Sequence, residues 1–144
     1  MSPNATGREL SPEAWAKLRE RAASAMERAY APYSSFRVGA ALLASDGSVV
    51  EGCNVENASF PAGSCAERVA VGAAVARGLR EFVALAVVTD GTEPTPPCGV
   101  CRQVLMEFAP DLPVLSATLS GAEARWSVSE LLPHAFTPTS LGRR

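Results

Sequence analysis

Three of the four cysteines in this 144-residue chain stand at spacings that suit the binding of one metal ion. Cys98 and Cys101 are three residues apart in a predicted helix, so their thiols share one face of it, and Cys65 begins another predicted helix. A helix N-terminus favours the thiolate form of a cysteine, which is the form that binds metal. Three sulfur ligands leave a fourth position for water, which is typical of a catalytic zinc site, whereas structural zinc sites are normally closed by four protein ligands.

Two charged residues follow Cys65 in the first turn of the same predicted helix. The carboxylate of Glu67 can reach a water molecule at the metal, take a proton from it and pass the proton on. Three thiolates outweigh the charge of Zn²⁺, so the site needs positive charge nearby. Arg68 can tune this charge by donating hydrogen bonds to ligand sulfurs, with a surface ion pair as its alternative role. We expect Arg102 on the surface or in a subunit contact.

Spacing alone leaves other assignments of the cysteines open. A Cys-x-x-Cys pair also occurs in redox sites and in structural zinc knuckles. A redox pair, however, would leave Cys65 and Glu67 without a function. A closed structural zinc site would need Cys53 or His134 as its fourth ligand. Cys53 lies inside an apolar strand, where a buried thiol is common, and His134 follows Leu132-Pro133 in a segment expected at the surface.

Hydrophobic periodicity places these residues on a succession of helices and strands. The predicted helices cover residues 12–30, 65–76, 98–108 and 129–132, and the predicted strands cover residues 36–43, 49–55, 82–89, 114–117 and 124–128. Ser11 is the predicted cap of the first helix, and Asp46-Gly47 marks a hairpin turn. This order predicts an α/β fold, a three-layer α/β/α sandwich with a central mixed five-stranded sheet.

Composition and charge limit the classes of protein that the chain can belong to. Its length and 47% hydrophobic content predict a single domain, residues 1–144, with residues 1–10 and 137–144 as flexible tails. The formal net charge is -2 and no basic run occurs, so we expect no nucleic-acid partner. We find no apolar stretch long enough for a membrane span and no signal peptide, and we expect a cytoplasmic protein with reduced cysteines.

The motifs together resemble the small homotetrameric zinc-dependent cytidine deaminases. The pattern Cys-x-Glu followed by Pro-Cys-x-x-Cys is the signature of zinc nucleobase deaminases, here with cysteine in place of the usual histidine ligand. The resemblance runs through residues 36–42, 52–61, 65–68 and 97–103 and covers most of the chain from Ala14 to about Phe136. It implies one Zn²⁺ per subunit on Cys65, Cys98 and Cys101, with Glu67 as the proton shuttle.

The resemblance also implies a reaction and a set of substrate contacts. The reaction is hydrolytic deamination of cytidine and 2′-deoxycytidine to uridine and 2′-deoxyuridine, as in pyrimidine salvage. Asn54 and Glu56 would hold the ribose 3′-hydroxyl, and residues two apart at a strand end do point to one side. The implied substrate-binding residues are Phe36, Asn54, Val55, Glu56 and Ala66, and a neighbouring subunit would contribute Ala58 and Phe60. Judged without the resemblance, an isolated Asn-x-Glu is a turn and a helix cap, and the two phenylalanines could be core residues.

Two residues depart from the pattern that is common in this family. Arg37 stands where proline is frequent in the family, and Phe60 stands where tyrosine is frequent.

A carboxylate at Glu56 favours an uncharged nucleoside over a phosphorylated one. Blasticidin S deaminases share the zinc motif but generally lack the Asn-x-Glu-Asn-Ala-Ser run seen here. A non-enzymatic zinc-binding interaction module is the alternative from another class, and Glu67 and the open metal position argue against it.

Overall fold

The structure, a computed structural model, describes residues 9–143 and contains the mixed five-stranded sheet that the sequence predicts. The strands are β1 (Val38–Ala44), β2 (Val49–Cys53), β3 (Phe82–Thr89), β4 (Pro113–Thr118) and β5 (Glu123–Ser127), and the α-helices are α1 (Pro12–Met26), α2 (Ala66–Ala76), α3 (Gly99–Phe108) and α4 (Val128–Leu131). The strand order is β2-β1-β3-β4-β5, and β3 and β4 are parallel while the other neighbouring pairs are antiparallel. None of the helices within residues 9–143 is long and apolar enough to cross a membrane.

Helices cover both faces of the sheet, which confirms the three-layer architecture. Successive side chains of a strand point to opposite faces, and each face here has its own apolar cluster. On β3, for example, Ala84 and Ala86 pack in the cluster that contains α1, whereas Leu85 and Val87 pack in the cluster that contains α2 and α3. A strand covered on both faces must be apolar at every position, and β3 is buried along its whole length.

The two predicted tails fall partly outside the described residues. Residues 1–8 and 144 are not among them, and their predicted flexibility stays a prediction. Within the second tail, Pro138–Leu141 forms a short 3-10 helix. A second 3-10 helix, Phe60–Ala62, interrupts the loop between β2 and α2.

Helix α1 begins as predicted but ends earlier than predicted. The Ser11 side chain accepts a hydrogen bond from the backbone N–H of Ala14 at 3.1 Å, which caps the helix. The helix ends at Met26 because Tyr30 pairs with the chain beyond β2 instead. The backbone N–H of Tyr30 donates to Asn54, and its carbonyl accepts from Glu56, each at 2.9 Å. These long-range hydrogen bonds override a helical periodicity that continues past residue 26.

The strand directions bring several loops to one end of the sheet. β1 is antiparallel to both β2 and β3, so β2 and β3 run the same way. The carboxyl ends of β2 and β3 therefore meet at one end of the sheet, with the amino end of β1 between them. We call this the site end of the sheet. The chain leaves it towards α2 after β2 and towards α3 after β3, so both helices begin there.

Close backbone packing sets the distance of α2 from the sheet. A Cβ added at Gly52 of β2 would lie 2.4 Å from the carbonyl oxygen of Ala66 and 2.6 Å from the backbone nitrogen of Ala70. Only glycine fits so near to a helix backbone. The first turn of α2, which carries Glu67, is thereby held directly against the end of β2.

We expect Gly52→Ala to lower the free energy of unfolding by about 1–3 kcal/mol, because the new methyl group must displace backbone atoms. The matched control is Gly72→Ala in the middle of α2, where an added Cβ meets nothing within 4 Å. Replacing that helical glycine should raise the free energy of unfolding by about 0.5–1 kcal/mol. Urea denaturation at one fixed protein concentration measures both changes. Equal effects of the two variants would contradict the role given to Gly52.

Candidate active site

Three cysteine sulfurs converge at the site end of the sheet. The Sγ atoms of Cys65 and Cys98 are 3.7 Å apart, those of Cys98 and Cys101 are 3.5 Å apart, and all three lie within 4.8 Å of one another. Tetrahedral zinc with Zn–S bonds of about 2.3 Å places its ligand sulfurs about 3.8 Å apart, so these distances fit a zinc ion. They are far longer than a disulfide bond of about 2.05 Å, and all the cysteines are free.

The helix starts explain why these sulfurs are available to a metal. Cys65 is the N-cap of α2 and Cys98 is the N-cap of α3, and neither makes a side-chain capping hydrogen bond. Cys101 lies one turn into α3 and is completely buried. The Cys101 thiol, as hydrogen-bond donor, lowers the pKa of Cys65 to about 5, with smaller contributions from Arg68 and Cys98. The same interaction and burial raise the pKa of Cys101 far above its usual range.

The two other candidate ligands do not join this group. Within the described residues, the only group of three or more potential ligand atoms consists of the three cysteines already named. Cys53 is half-buried in β2, less enclosed than the buried thiol that the sequence predicts. His134 is exposed, as predicted. A closed four-ligand site with Cys53 or His134 is therefore not formed.

Glu67 is a buried acid beside the sulfurs. Its exposed fraction is 5%, and it lies in the first turn of α2, where the helix dipole favours a negative charge. Burial is the main cause that raises the pKa of Glu67, to about 7, and the charge of the nearby Cys65 thiolate raises it further. A carboxyl group with a pKa near neutrality can both accept and release a proton, which is what general acid–base chemistry requires.

Arg68 holds the chain around Cys65. Its Nη2 donates to the carbonyl of Gly63 at 3.2 Å and lies 4.0 Å from the Cys65 sulfur. Its Nε is buried without a hydrogen-bond partner within the described residues. The guanidinium thus places positive charge next to the sulfur group, which is the position expected for a charge-tuning residue.

Arg102 makes two hydrogen bonds to backbone carbonyls that the sequence does not predict. It is half-buried, its Nε donates to the carbonyl of Pro97 at 2.6 Å, and its Nη1 donates to the carbonyl of Leu131 at 2.9 Å. Because Pro97 directly precedes Cys98, the guanidinium fastens the ligand-bearing loop to the end of α4. The expected position at the surface or in a subunit contact stays a prediction, because a half-buried side chain in one chain is compatible with either.

A cavity of about 250 Å³ opens beside the sulfurs, and we call it the Glu67 cavity. Its lining residues are Ser34, Phe36, Val38, Asn54, Glu56, Cys65, Ala66, Glu67, Val87, Thr89, Thr95, Pro96 and Cys98. They come from the amino end of β1, the carboxyl ends of β2 and β3, the starts of α2 and α3, the turn at Ser34 and the loop at Thr95 and Pro96. The strand directions described above therefore account for the position of the cavity.

The structure brings most of the predicted substrate residues into this lining, but not all. Phe36, Asn54, Glu56 and Ala66 line the Glu67 cavity. Val55 does not belong to its described lining, because the backbone N–H and carbonyl of Val55 pair with Ser64 at 2.9 Å each and its side chain points outward. That pairing fixes the segment between Asn54 and Glu56.

Asn54 and Glu56 are held in place by residues 33–38, which lead into β1. The Asn54 amide donates to the carbonyl of Phe36 at 2.8 Å and accepts from the N–H of Val38 at 2.9 Å, which leaves one N–H unused. The backbone N–H groups of Tyr33 and Ser34 donate to the Glu56 carboxylate at 2.9 and 3.1 Å, and the Ser34 hydroxyl donates to its other oxygen. That hydroxyl is the main cause that lowers the pKa of Glu56.

Ser34 is a site residue that sequence reasoning missed. Besides binding Glu56, its hydroxyl accepts the backbone N–H of Phe36 at 3.0 Å. The Pro32-Tyr33-Ser34-Ser35 run indicates a turn, and serines in turns commonly bind nearby backbone groups. This run is the available signal, although it does not specify which of its two serines binds Glu56.

Ala58 and Phe60 lie outside the Glu67 cavity. Both are exposed, and the exposed fraction of Phe60 is 77%. The Phe60 ring meets Tyr33 edge-on, with centroids 6.3 Å apart, and borders an adjoining hollow that shares Ser34 and Glu56 with the cavity. A large aromatic ring so exposed is available for contact with another molecule.

The family model and the individual relatives that match this chain point to the same family. Residues 13–116 match the family model described as the cytidine and deoxycytidylate deaminase zinc-binding region. A cytidine deaminase of Halalkalibacterium halodurans is 53% identical over 121 residues, which cover 83% of this chain and 92% of that protein. A cytidine deaminase of Mycobacterium tuberculosis is 42% identical over 134 residues, which cover 90% of this chain and 94% of that protein.

Solved structures agree with the sequence relatives. The crystal structure of cytidine deaminase from Burkholderia pseudomallei matches with a TM-score of 0.83 and 48% identity, over 88% of this chain and 100% of that one. The crystal structure of cytidine deaminase from Mycobacterium tuberculosis matches with a TM-score of 0.73 and 43% identity, over 85% of this chain and 96% of that one. The matched family region spans α1 to β4 and so includes both cysteine-bearing helix starts, Glu67 and most of the sheet. The chain therefore belongs to the cytidine and deoxycytidylate deaminase zinc-binding family.

Proposed function

We propose that this protein is a hydrolase that deaminates cytidine and 2′-deoxycytidine to uridine and 2′-deoxyuridine, as in pyrimidine salvage. The observation that carries the proposal is the meeting of a three-sulfur metal site and a buried carboxyl group, Glu67, in one cavity. Names of relatives up to 53% identical support the substrate. The small volume of the Glu67 cavity suits a single nucleoside.

Cys65, Cys98 and Cys101 are the residues that would hold one zinc ion per chain. Bound zinc supplies Lewis-acid chemistry, which lowers the pKa of water so that it can attack near neutral pH. The helix N-termini at Cys65 and Cys98 and the Arg68 guanidinium place positive charge around the three sulfurs. They offset the excess negative charge of three thiolates.

Glu67 moves the protons of the reaction. Water adds its oxygen to C4 of the cytosine ring, the bond from C4 to the exocyclic nitrogen breaks, and ammonia leaves. The Glu67 carboxylate takes one proton from the water and delivers it to ring N3, and then carries the second proton to the departing amino group. Its position in the cavity wall, with 5% of the residue exposed, keeps bulk water from competing for these protons.

The strand ends recognise the nucleoside. The unused N–H of Asn54 and the ionised carboxylate of Glu56 can both bind the ribose 3′-hydroxyl, as donor and acceptor. The Phe36 ring stacks on the base, Ala66 lies beside it, and Val55 contributes through its backbone pairing, which sets the positions of its two neighbours. A negative carboxylate in the sugar site disfavours a phosphorylated substrate.

The assembly is proposed to be a cytoplasmic homotetramer in which Ala58 and Phe60 complete a neighbouring subunit's site. The exposure of the Phe60 ring supports this arrangement. Metal-binding thiols must stay reduced, which supports a cytoplasmic location. Sedimentation equilibrium should report four chains. A monomer that turns over cytidine at full rate would remove the shared-site role of Phe60.

Removing one sulfur should remove the metal. We expect Cys98→Ala to be purified with far less than one zinc per chain, because two ligands cannot hold the ion that three hold. Cys53→Ala is the matched control, since Cys53 lies outside the sulfur group, and it should keep one zinc per chain. Metal analysis by plasma mass spectrometry measures both. Full zinc in Cys98→Ala would overturn the ligand assignment.

Glu67→Gln should keep both the fold and the zinc yet lose nearly all turnover, with kcat falling by about a thousandfold or more, because a neutral amide cannot carry protons. Glutamine preserves the shape of the side chain, and burial disfavours the charged carboxylate in any case, so stability should be unchanged or higher. Glu20→Gln on the exposed face of α1 is the control. Retained turnover in the Glu67 variant would contradict the mechanism.

A substrate panel tests the specificity. Ultraviolet absorbance with cytidine, 2′-deoxycytidine, cytidine monophosphate and blasticidin S should show fast reaction with the first two only. Glu56→Gln should raise KM for cytidine and reduce the discrimination against the monophosphate, since it removes the repelling charge. Faster reaction with the monophosphate in the unmodified protein would refute the role of Glu56, and preference for blasticidin S would favour the competing function.

A further inference from the structure

The start of β1 and the end of β3 are joined by a side-chain clasp of two residues, Arg37 and Asp90. The Arg37 guanidinium donates through Nε to one carboxylate oxygen of Asp90 at 3.1 Å, and the Arg37 backbone N–H donates to the other at 3.3 Å. The Asp90 N–H donates back to the Arg37 carbonyl at 3.4 Å. We call this the 37–90 clasp.

The clasp lies just outside the Glu67 cavity, on the far side of its wall. Phe36 and Val38 both line the cavity, and since strand neighbours alternate, the Arg37 side chain between them points away from it. Asp90 follows Thr89, which also lines the cavity and pairs with Val38 in the sheet. The clasp therefore continues the β1–β3 pairing one step beyond the last regular residues.

The chain that begins at Asp90 forms one wall of the cavity without regular secondary structure. This wall loop, residues 90–97, is anchored near its far end, where the Ser116 hydroxyl donates to the carbonyl of Thr95 at 2.8 Å and Arg102 binds the carbonyl of Pro97. At its other end, which begins at Asp90, the wall loop is anchored by the ion pair of the clasp. Gly91, the next residue, is pressed against Phe36, since an added Cβ would lie 3.1 Å from the ring.

We propose that Arg37 is a positioning residue for nucleoside binding: through Asp90 it fixes the wall loop and the Phe36 ring that faces the base. The inference rests on the proposed function, because it assigns the base to Phe36. Arg37 touches neither substrate nor metal, so its effect falls on the affinity of the site and leaves the proton-transfer chemistry of Glu67 unchanged.

The clasp depends on the identity of residue 37. A proline at this position would have no backbone N–H and no guanidinium, and so could form neither of the two bonds to the Asp90 carboxylate. Substrate affinity in this protein is thereby tied to a pair of opposite charges outside the cavity.

Steady-state kinetics with cytidine test the proposal through the split between KM and kcat. Arg37→Ala should raise KM by about three- to tenfold while kcat changes less than twofold. Asp90→Ala, which also removes the acceptor of the residue 37 backbone N–H, should raise KM at least as much. The double variant should be no worse than Asp90→Ala, because the guanidinium acts through that carboxylate. Arg37→Lys, which keeps the charge, should restore part of the affinity, and Arg37→Gln should not.

Arg19→Ala is the matched control, because Arg19 and Glu123 form an ion pair of similar exposure on another part of the surface. The side chains of that pair are 40% and 30% exposed, against 42% and 22% for the clasp. The control should leave KM unchanged. An unchanged KM in Arg37→Ala and Arg37→Gln, even with a lowered melting temperature, would reduce the clasp to a structural role and overturn the proposal.

Hydrogen exchange of the wall loop gives a readout independent of activity. Amides at Gly91, Thr92, Glu93 and Thr95 should exchange about threefold faster or more in Arg37→Ala and at the unmodified rate in Arg19→Ala. Unchanged exchange would contradict the claim that Arg37 holds the loop. If the unmodified protein does not turn over cytidine, the proposed function is wrong, and the proposal for Arg37, which rests on it, is wrong as well. The exchange rates then report only whether Arg37 holds the loop.

Discussion

The convergence of three sulfurs from two distant loops is the constraint on which the rest of the structure depends. Cys65 and Cys98 are 33 residues apart, yet their sulfurs must approach to 3.7 Å. They can do so because β2 and β3 run in the same direction, so that the helices after them begin at the same end of the sheet. The close backbone contact between Gly52 and α2 then fixes the distance of the start of α2 from the sheet. The cavity is the space between these two starts.

Burying negative charge at this point requires compensation from the surrounding chain. Thiolates and a carboxyl group share the site, and the helix N-termini and Arg68 are the positive groups placed against them. Burial still outweighs these contributions at Glu67, whose pKa is raised to about 7. The same desolvation that makes the carboxylate costly to bury therefore gives it a pKa suited to carrying protons near neutrality.

The sequence predicts well those features that depend on local pattern. β3 is found at the predicted residues, because a strand covered on both faces is one continuous apolar run, and the sulfurs of Cys98 and Cys101 lie together because helical spacing is local. It predicts poorly what depends on backbone partners from elsewhere in the chain. The predicted end of α1 is wrong because Tyr30 pairs beyond β2. The hydrogen bond from Arg102 to the carbonyl of Leu131 is not predicted because its acceptor lies 29 residues further along the chain. The contribution of Ser34 rests on a turn whose hydroxyl direction no pattern specifies.

The residues proposed to bind the sugar and those proposed to bind the metal are linked through the backbone of one residue. The backbone of Val55 makes two hydrogen bonds of 2.9 Å with Ser64, the residue before Cys65, and lies between Asn54 and Glu56. A shift of residues 54–56 would therefore pull on the start of α2, which carries the proposed metal ligand Cys65 and Glu67. Because the same segment also pairs with Tyr30, it is held from both sides, and the distance between the proposed sugar contacts and the sulfurs is set by backbone hydrogen bonds. Such bonds deform less than side chains do, which suits a reaction in which C4 of the base must be placed accurately between the attacking water and the proton carrier.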